Sequence, residues 1–502
     1  VKTVRDALQS LNLGKSVAEF DDALEHYFVE TNAFRELVHD QRDIIAGDKG
    51  TGKTAIYRIL QKKYTSLPEL NKIEVIPAFN PSGSPIFQQL TTRDVLSETE
   101  YNHLWKAYLV SFAGNWLLSV YAGEFTATMS NLDKVLRGLE LRTEVDAPGN
   151  SFRRTLSKIG SLFNWRSAEM ECTVSEHGIP IITPRVEFLE TEEKKASPSS
   201  IAADAILRLL DKCLEEADIT LWIALDRLDE AFSGHAAMEV PALRALLRTY
   251  LDLMEFKRVK LKLFVRRDLF SRITAGGFVN LTHINARKHE IIWREPDLMN
   301  LLCRRVRENG AFCDALNLKA ATDNEIFDAI FPKQVDFGKR KPATWTWMMR
   351  RIRDGNDVKP PRNLIDFVQL SQDAQLKQED IRNRSLGALP LLEPGALREG
   401  LSQLSVRRVD DTIFAEAGHA VELIEKFRGG KAEHNIDSLA SLFGVSIEQA
   451  KNVVTPLVAI GFLEVIKDSF KVPSIFREGM KITQGKAFED LSRPDAEDED
   501  EY

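Results

Sequence analysis

The sequence is poor in cysteine. Its four residues, Cys172, Cys213, Cys303 and Cys313, form no CxxC pair and stand in no paired His/Cys spacing. That argues against a zinc site and a disulfide scaffold, and leaves buried apolar thiols in a reducing compartment. Long hydrophobic runs are also missing. The best is Ala107–Gly123, 17 residues without a charge but carrying Ser111, Asn115 and Ser119. It is at the short limit for a membrane span, so a buried helix is expected. The opening Val1-Lys-Thr-Val-Arg-Asp-Ala is mixed and charged, unlike a secretory leader; since it does not begin with Met, a few residues are expected before it. We expect a cytoplasmic protein with no membrane contact.

A strong excess of one charge is lacking too. Lys+Arg 67 against Asp+Glu 75 gives −8, and six of the negatives lie in Asp495–Glu501. Whole-chain charge therefore decides nothing about nucleic acid. What is present is ordinary for a folded chain, 43% hydrophobic and 28% charged. This composition excludes global disorder, a coiled-coil rod and a collagen-like fibre. At roughly 150 residues per domain, the length predicts about three domains.

Hydrophobic periodicity divides the chain. Residues 1–40 form an N-terminal segment, with Val17, Phe20, Leu24, Tyr27 and Phe28 at helical spacing and directed inward. Residues 41–295 read as an α/β core with a helical insertion at about 81–200. In it, Asp43–Gly47 and Ile73–Phe79 are strand candidates, and Ile219–Leu225 and Val259–Val265 are continuous apolar strands of the doubly covered kind. Strand and helix in alternation predict a parallel sheet. Within the insertion, Ala168–Val174 and Ile179–Phe188 predict a hairpin across Ser175–Gly178. Residues 296–405 turn helical and basic, as a lid. Residues 406–476 read as a winged helix, and 477–502 as a tail with an acidic end.

The chemistry begins at Gly47-Asp48-Lys49-Gly50-Thr51-Gly52-Lys53-Thr54, which fits GxxxxGK[ST] in full between a short strand and a helix. Glycines let backbone N–H groups turn inward around phosphates, and the following helix points its positive end at them. Lys53 would reach the β- and γ-phosphates, and Thr54 would offer its hydroxyl to Mg²⁺. Thr220–Leu225 then ends in Asp226, Asp229 and Glu230. Asp226 is placed to hold the Mg²⁺ shell, and Glu230 or Asp229 to orient and deprotonate an attacking water. The next strand ends in Arg266 and Arg267, either of which would touch the γ-phosphate; a surface arginine paired with Asp268 is the rival reading. No NKxD-like segment follows a strand, which favours adenine over guanine.

From Phe20 to Asp373 the chain resembles a bacterial P-loop ATPase family allied to the STAND and KAP NTPases, molecular switches related to AAA+ proteins. The matching pieces are AEFDDALEHYFVETNAF, GDKGTGKTAI, ALDRLDE, KLFVRRDLF, IIWREPDLMNLLCRRV and TWTWMMRRIRDGNDVKPPRNLIDF. The resemblance implies a sensor arginine after the fourth strand, with Arg266 preferred over Arg267. It also implies a second sensor in the lid at Arg362. An arginine finger donated between subunits would fall on Arg244 or Arg248, on the helix expected over Met238–Phe256.

Local charge is informative where total charge is not. From Lys257 to Arg362 there are 23 Lys/Arg and 12 Asp/Glu, a net of +11, with Trp345 and Trp347 between the densest clusters. Such a surface suits a nucleic-acid backbone, a nucleotide or an acidic subunit face, with the tryptophans read as core. Thr412–Lys471 instead holds six basic and eight acidic residues, a poor DNA surface. The expectation is an ATP- and Mg²⁺-dependent switch, acting with a homo-oligomer or a partner protein. ATP would close the lid through Arg266 and Arg362, and family analogy points to bacterial sensing or antiphage defence. The alternatives are a DNA-binding ATPase of the origin-recognition or loader type and a scaffold that never turns its nucleotide over.

Overall fold

The computed structural model describes residues 3–78, 97–139, 141–142, 169–174, 180–185, 198–228, 236–387, 390–414 and 420–488. They group into two compact units. One comprises Glu30–Gly47 and Lys53–Ile291, and the other Val1–Val29, Asp48–Gly52 and Ile292–Tyr502.

The first unit is α/β. Its strands are β1 (Ile44–Gly47), β2 (Ile73–Pro77), β3 (Glu169–Val174), β4 (Pro180–Arg185), β5 (Thr220–Leu225), β6 (Val259–Arg266) and β7 (Lys288–Glu290). Five of them make one parallel sheet in the order β2-β5-β6-β1-β7. The apolar runs explain this: β1 is buried along its length, as is β5 from Leu221 onward, because helices cover both faces of a parallel sheet. β3 and β4 pair antiparallel as a separate ribbon, the hairpin expected from sequence.

The uncharged stretch at Ala107–Gly123 lies mostly in the helix Glu98–Val120. A Ser97/Glu100 capping box starts that helix, and Trp105 Nε1 donates to the Ala242 carbonyl at 2.9 Å. Tyr101, Leu104, Trp105, Tyr108 and Leu109 are all buried, each worth about 1.5–3 kcal/mol of burial. Among the described residues no helix is long and apolar enough to cross a membrane.

One charged group lies inside β6. Lys262 is fully buried, and its Nζ donates to Asp43 Oδ1 at 2.6 Å and Asp40 Oδ1 at 2.7 Å while resting 3.9 Å from the Trp222 ring centre. Arg287 forks onto Asp43 at 2.8 and 2.9 Å. The cluster ties the chain entering β1 to β6 and β7. Burial would raise the Asp43 carboxyl, but Lys262 and Arg287 outweigh it and hold the group below the ordinary range.

The second unit is mainly helical, with one apolar cluster running from Val4 to Ile482. Residues 296–405 and the C-terminal segment therefore share a core. A Thr3/Asp6 capping box starts a helix Val4–Ser10 that periodicity did not single out. The helix expected across Val17–Phe28 is instead a 3₁₀ turn, Ala18–Phe20, and a short helix, Leu24–Tyr27. Phe20, expected to point inward, is 73% exposed. The anchor is polar: buried Asp21 accepts from the Tyr27 hydroxyl and from Arg305 Nη2 at 3.1 Å.

Towards the C-terminus, β8 (Lys431–His434), β9 (Glu464–Ile466), β10 (Ser469–Lys471) and β11 (Thr483–Lys486) form a sheet in the order β11-β8-β10-β9. Helices Ile436–Phe443 and Ile447–Ala459 lie between β8 and β9, with Gly444 at φ +70° ending the first. Of the helix expected at about Phe414–Phe427, residues 415–419 lie outside the described residues; on either side a π-helical turn spans Val409–Phe414 and a short helix spans Val421–Glu425. Trp347 is a buried core residue and donates Nε1 to Asp336 at 2.8 Å, while Trp345 is partly buried against that core and packs edge-on to Phe327.

Candidate nucleotide site

In a parallel sheet the carboxyl ends of all strands share one edge. At that edge β1 ends at Gly47, β5 leads into Asp226, and β6 ends at Arg266, whose register partner is Gly47. One strand, β6, separates the loop-bearing strand from the Asp226 strand. The helix Lys53–Lys63 begins at the motif's lysine, and Ile56, Ile59 and Leu60 bury its inner face.

Lys53 Nζ donates to the Gly47 carbonyl at 2.8 Å, holding the ammonium across the turn. Thr54 hydrogen-bonds Asp226, which also accepts from the Arg227 backbone. Asp226 is only 5% exposed, and burial pushes its carboxyl up to about 6, against the Thr54 bond and the Lys53 charge. Its Oδ2 is buried with no hydrogen-bond partner. Arg227 is held at φ +57°, a conformation rare for a residue with a side chain. A hydroxyl bonded to a carboxylate that keeps one oxygen unused is the hard-oxygen donor set that suits Mg²⁺. Thr54 and Asp226 are the residues that fit it.

The rest of the loop is described with its own unit. Gly50 at φ +78° and Gly52 at φ +99° occupy the left-handed region that glycine tolerates. A Cβ on Gly50 would lie 3.1 Å from Arg362 Cβ and 3.4 Å from Pro360 Cβ. Arg362, singled out by resemblance, thus packs directly on the loop's first internal glycine. Arg362 Nε is buried and without a partner. Thr51 Oγ1 donates to the Asp48 carbonyl at 2.8 Å, and Trp293 Nε1 donates to the Thr51 carbonyl at 2.8 Å. Lys49 Nζ reaches the Asp411 carbonyl in the π-helical turn at 3.1 Å. Neither Trp293 nor Asp411 was assigned to the loop from sequence. Trp293 was only part of a matching segment, and Asp411 carried no signal.

The arginines divide. Arg266 is forked onto Asp268 at 2.9 and 3.1 Å, the rival pairing considered from sequence. Arg244 donates to the carbonyls of Ile273, Ala275 and Gly277, and Arg248 pairs with Glu98, so both are tied within the chain. Asp229 and Glu230, the candidate bases, lie outside the described residues.

No family model matches the chain, and no curated protein matches it. Solved structures do show likeness. The Aeropyrum pernix ORC1 protein in complex with DNA matches at 11% identity over 93% of this chain and 96% of that one, with a TM-score of 0.36. A Walker-type ATPase of Pyrococcus abyssi matches at 10% identity over 94% and 100%, with a TM-score of 0.40. The Aeropyrum pernix ORC2 protein in ADPNP–ADP complexes matches at 12% over 92% and 91%, with a TM-score of 0.34. These remain likenesses, and the site rests on its own geometry.

Proposed function

We propose that this chain is a P-loop ATPase acting as a nucleotide-dependent switch. The observation that carries the reading is the Lys53–Thr54–Asp226 group. The motif's Gly47, Lys53 and Thr54 and a buried carboxylate with one unused oxygen lie at the carboxyl edge of one parallel sheet. Backbone N–H groups of residues 48–54 would cradle the phosphates, and Lys53 would neutralise the terminal ones. Mg²⁺, held by Thr54 and Asp226, supplies charge compensation on the phosphate oxygens. Glu230 or Asp229 is the proposed base for water. Arg362, against Gly50 with its Nε unused, is the proposed reporter of the bound nucleotide. Arg266 can serve as a second reporter only by leaving Asp268. The motif set supports kinship with the STAND and KAP switches, and the helix pair followed by the β9–β10 hairpin supports a winged helix. Nucleotide-driven change of an oligomeric or partner-binding surface follows from that reading, with a role in sensing or antiphage defence.

The test is equilibrium binding of Mg·ATP and Mg·GTP to the full chain. Preferential binding of Mg·ATP that is lost in Lys53→Ala supports the reading, and binding insensitive to Lys53→Ala sinks it. The origin-recognition-like alternative draws on the basic lid, and predicts ATP-dependent, salt-sensitive binding of duplex DNA.

A further inference from the structure

Away from the phosphate loop, the second unit contains a cavity of about 600 Å³, within the range of small-ligand sites. Its wall carries six cations, Lys341, Arg350, Arg351, Arg353, Lys359 and Arg477, against four carboxylates, for a net of +2. The carboxylates are Glu295, Asp336, Asp357 and Glu464. Three of them pair within or beside the cavity. Glu464 receives Arg353 at 2.9 Å, Asp357 receives Lys359 at 2.8 Å, and Asp336 receives Trp347 Nε1 and Arg398, a residue outside the lining, at 2.8 Å each, with Arg351 at 3.8 Å. Arg477 donates to the Val472 carbonyl at 2.7 Å and to Gln484 Oε1 at 2.5 Å. Arg351 lies over the Trp347 ring at 4.3 Å, which holds its planar group in place. Arg350 stands exposed beside it.

We propose that this cavity is a binding site for a ligand bearing at least two phosphates. Four guanidinium groups are drawn from the end of the helix Thr344–Arg351, the loop after it and the helix Ser474–Arg477; Arg353 among them is paired with Glu464, and Arg350, Arg351 and Arg477 come from the two helices. Planar forks from separate elements match successive phosphates better than a single carboxylate. The cavity also locates phosphate binding away from Ile447–Ala459, the exposed helix that a DNA-reading domain would present and where the surrounding segment is net acidic. The same chemistry is offered by a nucleic-acid backbone and by a free oligophosphate. This proposal goes beyond the ATPase reading and does not depend on it.

The experiment uses full-length protein carrying Lys53→Ala, so that the phosphate loop does not contribute. Inorganic tripolyphosphate and a DNA duplex of about 30 base pairs are titrated separately at about 50 mM salt. At least one probe binds, and which one identifies the source. In the same background Arg350→Glu weakens that binding about tenfold and lowers its salt slope by about 1, and Arg351→Gln weakens it as well. Lys451→Glu, a charge reversal on the exposed helix, changes it less than about twofold. Failure of both probes to bind overturns the proposal. So does binding unaffected by both arginine variants, or binding weakened as much by Lys451→Glu. Phosphate binding that vanishes with Lys53→Ala assigns the phosphate site to the loop alone, which also overturns the proposal but leaves the ATPase reading intact.

Discussion

Replacing Asp226 by asparagine should affect stability and nucleotide binding in opposite directions. The carboxylate is 5% exposed, its Oδ2 has no partner, and burial raises its pKa from 3.8 to about 6. Because the folded-state value is above the unfolded one, the cost appears as pH rises from about 4 through 6 and is complete above that. A difference of about 2 units corresponds to about 3 kcal/mol against the folded state at pH 7.5. Asparagine removes the charge but places an unpartnered NH₂ where Oδ2 was, which returns about 1–2 kcal/mol. The net expectation is a gain of about 1–2 kcal/mol in urea unfolding with metal chelated, crossing zero near pH 5 and becoming a loss of about 1–2 kcal/mol near pH 4. On adding Mg·ATP the order reverses. Wild type should gain about 2.7 kcal/mol at a ligand concentration a hundredfold above Kd, and Asp226→Asn much less. A loss of stability in Asp226→Asn at pH 7.5 with metal chelated would refute this account of the site.

Three further outcomes follow from the same geometry. Gly50→Ala forces a left-handed alanine and a 3.1 Å contact with Arg362 Cβ; it should cost about 1–2 kcal/mol in thermal unfolding and weaken Mg·ATP binding, and an alanine tolerated on both counts contradicts the described loop. Arg305→Met strands Asp21, 2% exposed, and should cost about 3–5 kcal/mol in chemical unfolding, with much of it recovered in Arg305→Met/Asp21→Asn. Asp43 contributes stability that is present above the ordinary carboxylate pKa and lost as pH falls through its depressed folded value. Asp43→Asn should therefore be less stable than wild type at neutral pH, with the difference closing in strong acid; a constant difference across pH would contradict the ion cluster.

The legible parts of the sequence were those where one local pattern has one physical meaning. The loop motif, the apolar β5 run before Asp226 and the β3–β4 ribbon all satisfy that condition. Short mixed segments do not. β8 is Lys-Ala-Glu-His and β11 is Thr-Gln-Gly-Lys, so neither alternates enough to announce a strand, and their pairing is settled by distant partners. Phe20 keeps helical spacing in sequence yet points outward, because the segment makes a 3₁₀ turn around a buried Asp21–Arg305 pair. The Thr3/Asp6 cap was present in the sequence as a start signal, but the helix behind it is only seven residues long. Arg362 came from resemblance alone, since nothing in its neighbours predicts that it packs on a loop some three hundred residues earlier.

The most direct test of the central claim is ATP turnover together with particle mass, recorded with and without Mg·ATP for wild type, Lys53→Ala and Glu230→Gln. The account predicts hydrolysis by wild type and none by Lys53→Ala. Glu230→Gln should be held in an ATP-bound state of altered mass. Turnover that survives Lys53→Ala, or a wild type that neither hydrolyses ATP nor changes mass with it, would contradict the account.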